Sequence, residues 1–220
     1  MKSLQELINC EDPAWPLVQQ WIAEATNPVE VLPPADNATR EKALLHTQVT
    51  TRSPMGAIIY ECGGIFIDHN WLRILGSGHP RLPRSLPEWN ADRSFSVSGE
   101  RPSFLLVADD VVGGFFAMDG GGLGFERGKV CYLPPDTLVW ENTDKSYSDF
   151  LVWCLKGDLA RYYETMRWRN WQEDLQKIGG DEMSGFIPPL CQLGPPVNER
   201  SRELVRAAKI YELHIARSDK

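Results

Sequence analysis

Residues 104–124 read Phe-Leu-Leu-Val-Ala-Asp-Asp-Val-Val-Gly-Gly-Phe-Phe-Ala-Met-Asp-Gly-Gly-Gly-Leu-Gly. Two apolar runs of strand length flank an Asp-Asp pair and a glycine cluster follows, the pattern of a hairpin inside a larger sheet. Further strands are expected upstream at 65–67 and 71–75, around the turn Asp68-His69-Asn70, and downstream at 129–133 and 138–141. Helical signals surround these strands. Ser3 and Glu6 form a capping-box pattern, Pro13 opens a helix with Val18, Trp21, Ile22 and Ala25 on one stripe, and Asn27-Pro28 ends it. Residues 31–37 read as a Pro-rich connector and 39–46 as another helix. Ser53-Pro54 caps the next, and Gly63-Gly64 stops it. Ser146 and Asp149 cap a helix with Phe150, Leu151, Cys154 and Leu155 on its buried side. Gly157-Asp158 breaks that helix and restarts it, residues 181–197 read as irregular, and a last helical segment is expected within 201–216.

The result is an α+β chain: a mixed or antiparallel sheet of about six strands, with helices on one side and at both termini. Its 220 residues suit one domain. Residues 1–38 form N-terminal helices, 39–156 a core carrying a long loop at 76–103, and 157–220 a helical extension. That loop, rich in Gly, Pro, Ser and Arg, far exceeds an ordinary connection of about 4 to 6 residues, and loops of that length commonly carry function.

Composition narrows the function classes. The formal charge of −7 argues against binding a nucleic-acid backbone. Arg161, Arg167 and Arg169 are interleaved with Tyr162, Tyr163, Trp168 and Trp171, which reads as a core face beside a solvated one rather than a stacking platform. There is no apolar run of the roughly 18 residues that would cross a bilayer, and no uninterrupted apolar segment of a signal peptide near the start, so a cytoplasmic protein is expected. Five widely spaced cysteines, Cys10, Cys62, Cys131, Cys154 and Cys191, read as reduced, mostly buried thiols.

The candidate chemistry is sparse. Asp109 and Asp110, with Asp119 at the end of the following strand, could share a proton or hold a divalent cation, or could simply serve a turn. The glycines at 120–124 lead into another strand, not into a helix N-terminus, which argues against a phosphate cradle. His46, His69, His79 and His214 lack zinc-ligand spacing, and no metal or other cofactor is expected. Asp68 and His69 could form an acid/base pair, although no nucleophile accompanies them. Trp71, Trp89 and Trp140 fall at strand ends or in loops, where aromatic rings beside carboxylates are ingredients of a protein interface.

The order of motifs also resembles known families. Trp-Leu-Arg-Ile-Leu-Gly (71–76), the Asp-Asp pair, Gly-Gly-Phe-Phe-Ala-Met-Asp (113–119), Gly-Lys-Val-Cys-Tyr-Leu (128–133) and Ser-Asp-Phe-Leu-Val-Trp-Cys-Leu (148–155) resemble the SUKH superfamily across residues 39–156. That resemblance implies an α+β fold and a non-catalytic role of the immunity-protein type, in which a bacterial protein binds and neutralises a toxin. Pro-Ala-Trp-Pro-Leu-Val (13–18) and Leu-Pro-Arg-Ser-Leu-Pro (82–87) make the whole chain more similar still to an uncharacterised bacterial family, number 2625 among the domains of unknown function. Neither resemblance brings catalytic residues. The expectation is a binding protein that meets a partner, such as a basic toxin, through loop 76–102 and the acidic hairpin, with Trp71, Trp89, Asp109, Asp110, Asp119 and Trp140 as candidate surface. One alternative is a small-molecule binder or enzyme with a pocket between the sheet and that loop, using Asp68, His69 and Asp110. Another is a structural homo-oligomer.

Overall fold

The computed structural model describes residues 1–9, 11–94 and 101–218; the expectations placed on Cys10 and on residues 95–100 of the long loop lie outside them. Seven strands cross one antiparallel sheet in chain order: β1 (Val29–Leu32), β2 (Gly64–Ile67), β3 (Leu72–Leu75), β4 (Phe104–Asp110), β5 (Phe115–Asp119), β6 (Lys129–Leu133) and β7 (Glu141–Ser146). A second antiparallel sheet pairs β8 (Glu182–Ile187) with β9 (Ser201–Arg206).

The expected hairpin forms, but its turn lies later than the Asp-Asp pair. Both aspartates belong to β4, and the chain reverses over Val111–Gly114, where Gly113 adopts a φ of 95° that a side chain would oppose. The β2–β3 turn is where the sequence places it. Asp68, His69 and Asn70 all sit at positive φ (53°, 59° and 72°), a conformation these residue types tolerate better than most.

The helices are α1 (Leu4–Leu7), α2 (Trp15–Ala23), α3 (Asn37–Thr47), α4 (Pro54–Glu61), α5 (Leu86–Asn90), α6 (Tyr147–Lys156), α7 (Leu159–Tyr162), α8 (Trp171–Leu175) and α9 (Ala207–Ser218). Local chemistry sets several of their boundaries. The Ser53 hydroxyl accepts a hydrogen bond from Gly56 N, and Ser146 and Asp149 satisfy each other's backbone amides at the start of α6. Replacing Ser146 with alanine is expected to cost about 1 kcal/mol, read as a shift of the urea midpoint without a change of slope.

Helices cover both faces of the large sheet rather than one. Adjacent residues of a strand point to opposite faces, and Phe115 meets Trp89 of α5 and Tyr211 of α9, whereas Phe116 meets Phe150 of α6. The long loop is also less open than its composition suggests. Most of residues 76–90 are buried, and α5 lies within them. The Asn90 side chain donates to Leu106 O at 2.8 Å and accepts from Leu106 N at 2.8 Å, beside an irregularity in the β4–β5 register. One side-chain amide thus satisfies a strand backbone that the ladder leaves free.

Candidate functional site

Antiparallel register decides what the two central aspartates can do. Glu30, Phe66, Arg73, Asp109, Phe115 and Leu133 lie directly opposite one another across β1 to β6, so they share a face. Val29, Ile67, Leu72 and Asp110 form the neighbouring row on the other face. The carboxylates of Asp109 and Asp110 therefore point apart, which corrects the idea that they share a proton or a cation.

Asp109 sits in an ion-pair chain. Its Oδ1 lies 3.5 Å from Arg73 Nη1 and its Oδ2 2.6 Å from Arg84 Nη1; Arg84 Nε lies 3.0 Å from Asp181 Oδ1, and Asp181 Oδ2 3.4 Å from Arg206 Nη1. Arg84 also donates to Gly180 O at 2.6 Å and lies over the Trp89 ring. Five groups of alternating sign thus lead from the interior to solvent: Arg73 and Asp109 are fully enclosed, whereas the Arg206 side chain is 82% exposed. Burial lowers the Arg73 guanidinium to about 10, against the pull of Asp109, so it stays charged at neutral pH.

Above this chain opens a cleft of about 730 Å³. Its walls come from the edge of β1 at 28–30, Phe66, the β2–β3 turn at His69 and Asn70, the loop at 80–83, residues 175–182, and Arg206. Its volume falls within the range of about 300–1,000 Å³ usual for ligand sites. Glu30 is gripped by Arg81 through both oxygens, and Glu182 accepts from Gly179 N at 3.0 Å.

Asp110 belongs to a separate polar hub. Its carboxylate accepts from Val112 N, Gly114 N, Tyr132 OH (2.6 Å) and Tyr163 OH (3.1 Å). Burial nevertheless outweighs these donors and raises its pKa to about 6. A Cβ on Gly114 would come within 2.3 Å of both Asp110 Oδ2 and Tyr132 OH, so this turn needs glycine.

Several of the remaining sequence candidates are also interior. Asp119 is 1% exposed and accepts from the amides of Gly121, Leu123 and Phe125, so it organises the glycine loop. Trp71 is fully buried among Tyr163, Trp168 and Trp171, and Trp89 is 4% exposed between Arg84 and Arg93. Trp140 is half-buried against Phe104. The expected recognition surface of aromatics and carboxylates is corrected accordingly: Trp71, Trp89, Asp109, Asp110 and Asp119 present almost no area to a partner, because each finds its neighbours inside the fold. Asp68 is tied to Arg167, and only His69 of that pair reaches the cleft; Asp110 faces the other side of the sheet. Sequence reasoning missed Arg73, Arg84, Asp181 and Arg206. The available signal was a lone cation inside the apolar strand Leu-Arg-Ile-Leu, which demands a buried counter-charge.

Residues 4–210 match the family described as "Protein of unknown function DUF2625". The chain belongs to that family. Among its relatives, an "Uncharacterized protein" of Haemophilus influenzae is 43% identical, over 100% of this chain and 96% of its own length. The "Putative uncharacterized protein YbfG" of Escherichia coli is 44% identical over 97% of this chain and 95% of its own length. Family membership thus spans the core, the cleft walls and most of the C-terminal segment. Among the described residues, no helix is long and apolar enough to cross a membrane.

Proposed function

We propose that this chain is a binding protein without catalytic machinery of its own, and that it seats its ligand in the cleft between the edge of the sheet and loop 80–83. The observation that carries this reading is the cleft itself, a space of ligand size walled by five separate segments and bordered by paired charges. The state of the acid/base candidates supports recognition over chemistry. Asp68 and Asp109 are tied up in ion pairs, and Asp110 is saturated by four donors on the opposite face. A basic protein partner steered by Asp109 and Asp110 is disfavoured by the same burial, and the cleft supports the alternative of a pocket between sheet and loop.

The test is a two-dimensional amide NMR titration of the full chain against a panel of small polar metabolites and short peptides. A ligand should perturb amides at 69–70, 81–82 and 176–182, and Gln176→Trp, which fills the mouth from an exposed position of ordinary backbone conformation, should weaken it. Perturbations confined to other regions, or turnover of a bound compound, would overturn the reading.

A further inference from the structure

Resting on that reading, we infer that the cleft recognises a small oxyanion, a carboxylate or phosphate group, through Arg206 and Lys177. The argument is one of charge alternation. From Arg73 to Arg206 the signs run plus, minus, plus, minus, plus, so three guanidinium groups are balanced by two carboxylates and the chain ends on a cation at the cleft. The last link is also the loosest of those to Asp181: Arg206 stands 3.4 Å from a carboxylate whose other oxygen is held by Arg84 at 3.0 Å. An incoming oxyanion would supply the missing sixth charge and could form the short, charge-assisted bonds for which a guanidinium is shaped.

The other charged groups of the cleft strengthen the sign preference. Glu30 is paired with Arg81; Glu182, opposite Arg206 across β8–β9, has one oxygen bonded to Gly179 N and forms no ion pair with Arg206; and Lys177 adds a further positive group to the lining. Over the ion-pair chain and the cleft lining together, the cations Arg73, Arg81, Arg84, Lys177 and Arg206 outnumber the carboxylates Glu30, Asp109, Asp181 and Glu182 by one, in a chain whose formal charge is −7.

Calorimetric titration of the full-length chain with sodium phosphate and, separately, sodium succinate, repeated at several sodium chloride concentrations, tests the assignment. At least one probe should bind, with affinity falling as chloride is raised, and Arg206→Gln and Lys177→Gln should each weaken it about tenfold. Both positions are exposed, so circular dichroism should confirm an intact fold, and Arg161→Gln, away from the cleft, should bind like the parent. Phosphate binding alone assigns a phosphate ester, and succinate binding alone a carboxylic acid. Absence of binding by both probes, or binding untouched by both substitutions and therefore by an adventitious ion only, would overturn the oxyanion assignment. A neutral or cationic ligand found in the cleft by NMR would also remove it while leaving the cleft as the binding site, so the two proposals fail separately.

Discussion

Replacing Asp109 with alanine is expected to destabilise the fold by about 3–5 kcal/mol, a loss of about 10 °C in melting temperature for a chain of this size. The cost comes from what is left behind. Arg84 would keep Asp181 and Gly180 O, but the fully buried Arg73 would keep only Asn70 Oδ1, at 3.2 Å. An uncompensated buried cation is among the costliest defects a core can carry. Removing both charges should be milder: Arg73→Met combined with Asp109→Leu is expected to recover most of the loss, because apolar side chains of similar volume can replace a buried ion pair. Urea unfolding of the two single variants and the double variant measures this directly. A single Asp109→Ala variant within about 1 kcal/mol of the parent would show that the buried ion pairs do not hold the core.

Asp110 should make stability fall as pH rises from about 4 to about 6. Its folded value of about 6 lies above the ordinary 3.8, so between these values the native state holds a proton that the unfolded chain has released. Raising the pH through this window removes that proton and with it about 3 kcal/mol of stability, opposite in sign to an ion-paired carboxylate. Asp110→Asn imitates the protonated form: its oxygen can accept from Val112 N and Gly114 N while its amide donates to the Tyr132 and Tyr163 oxygens. The variant should therefore match the parent near pH 4 and exceed it by about 3 kcal/mol at pH 7.5. Comparing parent and variant cancels the other carboxylates. A difference that stays constant across this range would mean that Asp110 does not change its protonation there.

Elements written in local chemistry were legible in the sequence. Ser53-Pro54 and the Ser146/Asp149 box start α4 and α6 where capping residues place them, and the apolar runs became β2 to β6. Elements defined by a partner strand were not. β7, Glu-Asn-Thr-Asp-Lys-Ser, has no apolar alternation and exists because β6 offers it a ladder; β9 reads as readily as helix, and β8 organises it. The Asp-Asp pair misled for a related reason. Val111 and Val112 can form a buried turn because distant segments cover them: Ser184 N donates to Val111 O at 2.8 Å, and Ile210 and His214 lie against Gly113. Only Asp109 of the acidic candidates, together with His69, led toward the cleft, since Arg84 and Asp181 are separated from it by long stretches of chain.

The strand order has a consequence for birth at the ribosome. Because each of the first seven strands pairs with the one made just before it, the sheet can zip up vectorially as the polypeptide emerges, with little waiting for remote sequence. Asp181 is among the partners that arrive late. Until it is translated, Arg84 has Asp109 as its single carboxylate, and the cleft wall at 175–182 and then the cover of β9 and α9 can be added only after the sheet they close upon has been made.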